Sequence, residues 1–257
     1  MRKISTQFIE THAHLDMIKR KSSDVVQEAL ANGVFKIITI GVDIESSEDN
    51  LLLSEKLENV YTAIGFHPHE SKKMNSDEYF KLEKMLLNPK NVALGEIGLD
   101  YYYQHSTIEE QKTAFREQID LAKKYDLPII IHDRDAHQDT MEILKEKGKD
   151  LKIVFHCFSG DRQMAQWCIK NNYYFGIGGV VTFKNAKNLV QIVKEIPLKN
   201  ILLETDSPFL TPIPYRGKPN EPKYIPIIAE KIAEIKGIKI DEVGKVTTEN
   251  ARKIFNF

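Results

Sequence analysis

The sequence predicts an α/β protein of the (β/α)8, TIM-like barrel class, and three observations predict it. Eight short β-branched apolar runs alternate with longer amphipathic runs along the chain. Several of the short runs are unbroken, such as Ile129-Ile130-Ile131, the pattern of strands buried on both faces of a parallel sheet. The length, 257 residues, suits a barrel that takes ~250. No linker, composition shift or low-complexity segment divides the chain, so residues 1–257 read as a single domain. An open doubly wound sheet is the alternative arrangement of the same alternation.

In order, strands are expected at 8–14, 36–42, 60–66, 92–97, 128–132, 153–156, 174–177 and 201–205. Between them lie helical patterns. Ser22-Ser23-Asp24 opens a helix that stops at Asn32-Gly33, and Ser46-Ser47-Glu48 opens the next, through Leu57. Helices at 76–87 and 107–125 follow, the second with Thr107 and Glu110 in capping-box spacing. Further helices fall at 136–147, 161–171 and 185–195. After the eighth strand a proline-bearing loop, 207–223, leads to helices at 225–236 and 241–255.

Charge narrows the function classes. Lys and Arg number 36 against 37 Asp and Glu, a net charge of −1. No chain-wide field draws in nucleic acid, so such contact needs a local basic patch or a bound metal. Cys157 and Cys168 are the only cysteines and make no disulfide framework, which fits a reducing, cytoplasmic setting. Met1-Arg2-Lys3-Ile4-Ser5 begins no apolar leader, and no run approaches the ~20 apolar residues of a membrane span. A monomer is expected.

Barrel active sites lie at the carboxyl ends of the strands. There the first strand carries His12-Ala13-His14, two imidazoles on one face because strand residues i and i+2 point the same way. The third leads to His67-Pro68-His69, the fourth ends in Gly95-Glu96-Ile97-Gly98-Leu99-Asp100 with Glu96 as its candidate, and the fifth carries His132-Asp133-Arg134. The sixth ends in His156-Cys157, and the eighth in Glu204-Thr205-Asp206. One His-x-His pair is common by chance, and a lone strand-end histidine is more often structural than a ligand. Convergence over five strands is another matter, because so many polar groups at one place are costly without compensation. His12, His14, Glu96, His132, His156 and Asp206 make six candidate ligands. One zinc needs three protein ligands and a water. Six suit two divalent ions ~3.5–4 Å apart with a shared carboxylate, for which Glu96 is the natural bridge. Mg, Mn, Zn and Fe all accept such donors.

Thr11-His12-Ala13-His14-Leu15-Asp16, Gly65-Phe66-His67-Pro68-His69, Gly95-Glu96-Ile97-Gly98-Leu99-Asp100-Tyr101, Pro128 to Arg134, His156-Cys157-Phe158-Ser159-Gly160, Glu204-Thr205-Asp206-Ser207-Pro208 and Arg216 to Pro222 follow one another along the chain. Together they resemble the TatD family of metal-dependent deoxyribonucleases, within the amidohydrolase superfamily. One departure is Glu10, where the family often carries Asp. The resemblance implies a barrel that hydrolyses DNA phosphodiesters with a metal-activated water, usually as a 3′→5′ exonuclease on single strands or 3′ ends. The family's ligands fall on the same six residues. The expected arrangement gives one ion to His12, His14 and Asp206 and the other to His132 and His156, with Glu96 between. Asp206 then serves as general base, and His67 orients the phosphate, donates to the leaving group or supports a ligand. His69 is expected to be structural, and Glu204 to steady a first-strand histidine.

Weaker candidates contact substrate. Arg134 grips a phosphate or pairs with Asp133 or Asp135. Arg216 binds the DNA backbone or belongs to a solvated loop. Of Tyr101, Tyr102 and Tyr103, one (Tyr101 is the candidate) stacks on a base and two pack under the loop. Two rival functions remain. One is ester hydrolysis on D-aminoacyl-tRNA or another amidohydrolase-type substrate, and the other is a non-catalytic nucleic-acid-binding scaffold.

Overall fold

The computed structural model describes residues 6–257, so the expectation for Met1 to Ser5 lies outside the described residues. The strands are β1 (Phe8–Ala13), β2 (Val34–Ile40), β3 (Val60–Ile64), β4 (Asn91–Asp100), β5 (Ile129–Arg134), β6 (Ile153–Phe155), β7 (Tyr174–Ile177) and β8 (Ile201–Leu203). The helices are α1 (Ser22–Ala31), α2 (Ile44–Lys56), α3 (Ser76–Met85), α4 (Ile108–Lys124), α5 (His137–Lys147), α6 (Arg162–Lys170), α7 (Lys187–Glu195), α8 (Ile225–Lys236) and α9 (Ile240–Phe255). The eight strands form one sheet in the order of the sequence. A doubly wound sheet reverses its strand order partway, so this sequential order excludes it. The fold is a (β/α)8, TIM-like barrel.

Contacts group the described residues into two compact units. One holds the residues up to Thr39 together with Asp161–Phe257, and the other is Ile40–Gly160. In the first unit β1 pairs in parallel with β2, β7 with β8, and Ala13 bridges Ser207 just after β8. The first strand is thereby tied to the end of the last. In the second unit β3, β4, β5 and β6 pair in parallel in that order.

β4 is buried along its whole length, as a strand covered on both faces should be. It also runs to Asp100, three residues past the expected end at Ile97. Gly98 permits this extension. It has φ of 137° and lies in register with His132, and a Cβ there would come within 2.1 Å of the His132 carbonyl oxygen. The two strands therefore stay close where β5 carries its histidine.

Helix starts follow local chemistry. The Thr107–Glu110 capping box forms as expected, and Asp161 caps α6 through the Met164 N–H. α2 starts two residues earlier than expected, because Asp43 and Ser46 make a reciprocal capping box and Ser46 sits inside the helix. α1 has Lys21 at its N-cap with no side-chain cap, so its serines do not play the expected part.

Candidate metal-binding groups

In the first unit β1 is buried from Phe8 to Ala13, and its end presents His12 and His14, with ring centroids 5.3 Å apart. Asp206 follows β8. Its backbone N–H donates to the His12 carbonyl, and its φ of 56° lies in the left-handed region that Asp tolerates better than most residues. Asp206 Oδ1 stands 3.9 Å from His12 Nε2 and 3.5 Å from His14 Nε2. Neighbouring ligand atoms of a tetrahedral zinc with ~2.0–2.1 Å bonds stand about 3.3–3.5 Å apart. The Asp206–His14 distance is at that spacing and the Asp206–His12 distance a little wider, and with donor atoms of all three residues within 4.8 Å of one another the set suits a divalent ion.

Glu10 holds this corner. Its Oε1 accepts from the backbone N–H of His12 at 2.9 Å and of Thr205 at 3.0 Å, tying the first histidine of β1 to the residue before Asp206. Burial pushes its carboxyl up to about 8, against the lowering effect of those hydrogen bonds. Glu204 is fully buried two residues before Asp206. Phe209, half exposed, places its ring 6.2 Å from that of His14.

In the second unit Glu96 Oε1 is the point of convergence. It lies 2.6 Å from His132 Nδ1, 2.7 Å from His156 Nε2 and 3.6 Å from His67 Nε2. His132 Nδ1 and His156 Nε2 are 3.4 Å apart. The two shortest distances are hydrogen-bond lengths, so an ion seated among Glu96, His132 and His156 would spread them by about 0.7 Å. The other ring nitrogen of His132, Nε2, bonds Asp100 Oδ2 at 3.1 Å. A ligating imidazole anchored through its second nitrogen to a carboxylate is a recurrent support for metal sites. Burial lowers His132, but Asp100 and Glu96 outweigh it and raise it to about 9. Burial also raises Asp100, yet bonds from His132, the Tyr103 N–H and His69 leave it well below the usual carboxylate range.

His67 differs from its neighbours. Its Nδ1 accepts the backbone N–H of His69 at 3.1 Å. A nitrogen that accepts an N–H carries no proton, so neutral His67 has its proton on Nε2, facing Glu96. Burial above all keeps it neutral, well below the ordinary histidine range. His67 is therefore built as a donor at Nε2.

The remaining candidates fall as follows. Tyr101 turns its hydroxyl to Asp139, donating at 2.6 Å, with its ring partly buried. Tyr102 and Tyr103 stand exposed instead of packing under the loop. Arg134 pairs with neither neighbouring aspartate. Asp133 is engaged by His137 and Thr140, and the Arg134 guanidinium lies 4.2 Å from the Tyr102 ring centre and 4.8 Å from that of Tyr103. Arg216, in the exposed loop of the first unit, donates to the Thr211 carbonyl and covers Phe183 at 4.1 Å. His69 bonds Asp100 Oδ2 at 2.9 Å, a supporting role. Glu10 and Asp100 are the parts whose work sequence reasoning missed. Asp100 left one signal, its i+4 spacing from Glu96 on a single strand, which puts both on one face.

Known proteins share this architecture. A family model described as "TatD related DNase" matches residues 9–256. A Bacillus subtilis protein, YabD, called an uncharacterized metal-dependent hydrolase, is 43% identical over 249 residues, spanning 96% of this chain and 98% of its own. The crystal structure of the Escherichia coli TatD homologue YjjV superposes with a TM-score of 0.91 at 33% identity, over 97% of this chain and 98% of that one. A TatD family hydrolase from Entamoeba histolytica gives a TM-score of 0.86 at 26% identity, over 97% and 98%.

Proposed function

This chain belongs to the TatD family of metal-dependent hydrolases, and on that premise we propose that it cleaves DNA phosphodiester bonds, removing nucleotides 3′→5′ from single strands or 3′ ends. The observation that carries the reading is the His12–His14–Asp206 group, whose donor atoms stand near ion-ligand spacing at the end of a buried strand. In support, a second imidazole–carboxylate group converges on Glu96 Oε1.

We assign one divalent ion (Mg, Mn or Zn) to His12, His14 and Asp206, and a second to Glu96, His132 and His156. Bound ions would supply Lewis acidity toward the phosphate and lower the pKa of a water toward neutrality. The chain supplies the rest. Asp206 accepts the proton of the attacking water. His67 donates from Nε2 to a phosphate oxygen or the departing 3′-oxygen, the role its tautomer fits. Asp100 holds His132 through Nε2 and so keeps Nδ1 as the ligating atom.

The test is a time course on 5′-labelled single-stranded DNA. Chelator-stripped protein receives Mg, Mn or Zn, with Asp206→Asn alongside. A ladder that shortens from the 3′ end, at least a hundredfold slower in the variant, is expected for loss of a general base. Protein that binds its ions and cuts no strand would move the assignment to a carboxylic ester such as an aminoacyl-tRNA.

A further inference from the structure

Tyr102 and Tyr103 are 59% and 52% exposed, unusual for two adjacent aromatic rings. They meet edge to face at 4.8 Å, and Tyr103 lies nearly parallel to the His105 ring, 16° between planes. The Arg134 guanidinium rests against both rings and, among the described residues, forms no ion pair. Its central carbon lies 4.2 Å from the Tyr102 ring centre and 4.8 Å from that of Tyr103, and a guanidinium held against rings without an ion pair retains N–H donors that match a phosphate.

This cluster is tied to the second metal-binding group by one carboxylate. Asp100 Oδ1 accepts the backbone N–H of Tyr102 and of Tyr103, each at 2.9 Å. Its Oδ2 takes His132 and His69. Arg134 is two residues beyond His132 on β5, hence on the same face of that strand. The two tyrosines, the free cation and a ligating histidine therefore share one rigid support.

We propose that Tyr102, Tyr103 and Arg134 form a seat for one nucleotide of a single-stranded nucleic acid. The base stacks on an exposed tyrosine ring and the guanidinium edge binds the phosphate. The inference rests on the DNA-cleaving reading and adds how the strand is held. Stacking on an aromatic ring is indifferent to sequence but requires an unpaired base, so the seat selects single strands.

The experiment is fluorescence anisotropy on chelator-stripped, full-length protein, comparing a short oligodeoxynucleotide with an abasic strand of equal length. Wild type should prefer the base-bearing strand about 5- to 100-fold, the range for one stacked base. The double variant Tyr102→Leu, Tyr103→Leu should lose that preference while retaining abasic affinity, and Tyr→Phe at both positions should keep it. Arg134→Gln should weaken both strands. A measurement free of variants is photocrosslinking of a 5-iodouracil strand to the wild type, expected at Tyr102 or Tyr103. No preference in the wild type, a preference that survives in the leucine variant, or crosslinks only elsewhere would overturn the seat. DNA cleavage with unchanged KM in the leucine variant would overturn it and leave the nuclease reading standing. Base-selective binding by a protein that cuts no DNA would do the reverse.

Discussion

Glu10 is fully buried and holds two backbone amides, His12 N–H and Thr205 N–H, on one oxygen. Its carboxyl is raised from 4.5 to about 8 by burial. Between those values the folded protein keeps a proton that the unfolded chain has lost. Stability therefore falls as pH rises through this window and the loss is complete above about 8. Each pKa unit is worth about 1.4 kcal/mol, so the loss amounts to several kcal/mol. Glu10→Gln keeps an acceptor oxygen for both amides and cannot ionise. In metal-free protein, urea unfolding across the window should show a flatter pH profile for the variant and greater stability than wild type at its alkaline end. Parallel profiles would mean that Glu10 does not titrate there.

α4 is an element whose importance lies in two buried glutamines seven residues apart, and so on one face of the helix. Gln118 accepts from the Phe66 N–H at 2.7 Å and donates to the Phe66 carbonyl at 3.1 Å. Gln111 accepts from the Asp100 N–H at 2.8 Å and donates to the Asp100 carbonyl at 3.0 Å. The helix thus supplies hydrogen bonds to backbone just past β3 and at the end of β4, immediately before His67 and at the anchor of His132. Gln118→Leu would bury the Phe66 N–H and carbonyl without partners, at a cost of about 2–4 kcal/mol. The same change should lower activity beyond the loss of folded protein, because His67 is the next residue. Chemical denaturation and kcat on the folded fraction check the two parts separately. A variant as stable as wild type would show that the pair of bonds contributes little.

For the whole molecule, the alternation of apolar runs made the barrel legible, since a buried parallel sheet writes itself as unbroken β-branched segments. It located the strand ends as well, and with them His12, His14, Glu96, His132 and His156. Sequence did not reveal the bonds of Glu10, Asp100, Gln111 and Gln118. Each of these side chains serves backbone or a ring from a distant segment, and such a contact has no spacing to read. Nor did sequence show that Tyr102 and Tyr103 face outward, because a tyrosine triplet looks alike packed or exposed. The proton on His132 also depends on structure, and it links the metal to the pH behaviour of the entire protein. In metal-free protein His132 is raised from 6.5 to about 9 by Asp100 and Glu96 against burial. Its stabilising contribution is whole below 6.5 and is lost as pH rises through about 9. An imidazolium offers no lone pair, so ion binding at Nδ1 must expel that proton. Affinity at the Glu96–His132–His156 group should therefore rise up to tenfold per pH unit between 6.5 and about 9, the opposite direction to metal-free stability. Because an ion that binds only the folded state stabilises it by RT ln(1 + [L]/Kd), this group's contribution to Tm should fall with pH in chelator and become flat across the window at saturating metal, where neither the ion-bound folded protein nor, above 6.5, the unfolded chain holds the His132 proton. Calorimetric titration in buffers of differing ionisation enthalpy would register one proton released per ion at this group. Affinity that is flat across the window, with no proton released, would show that His132 meets the metal already neutral.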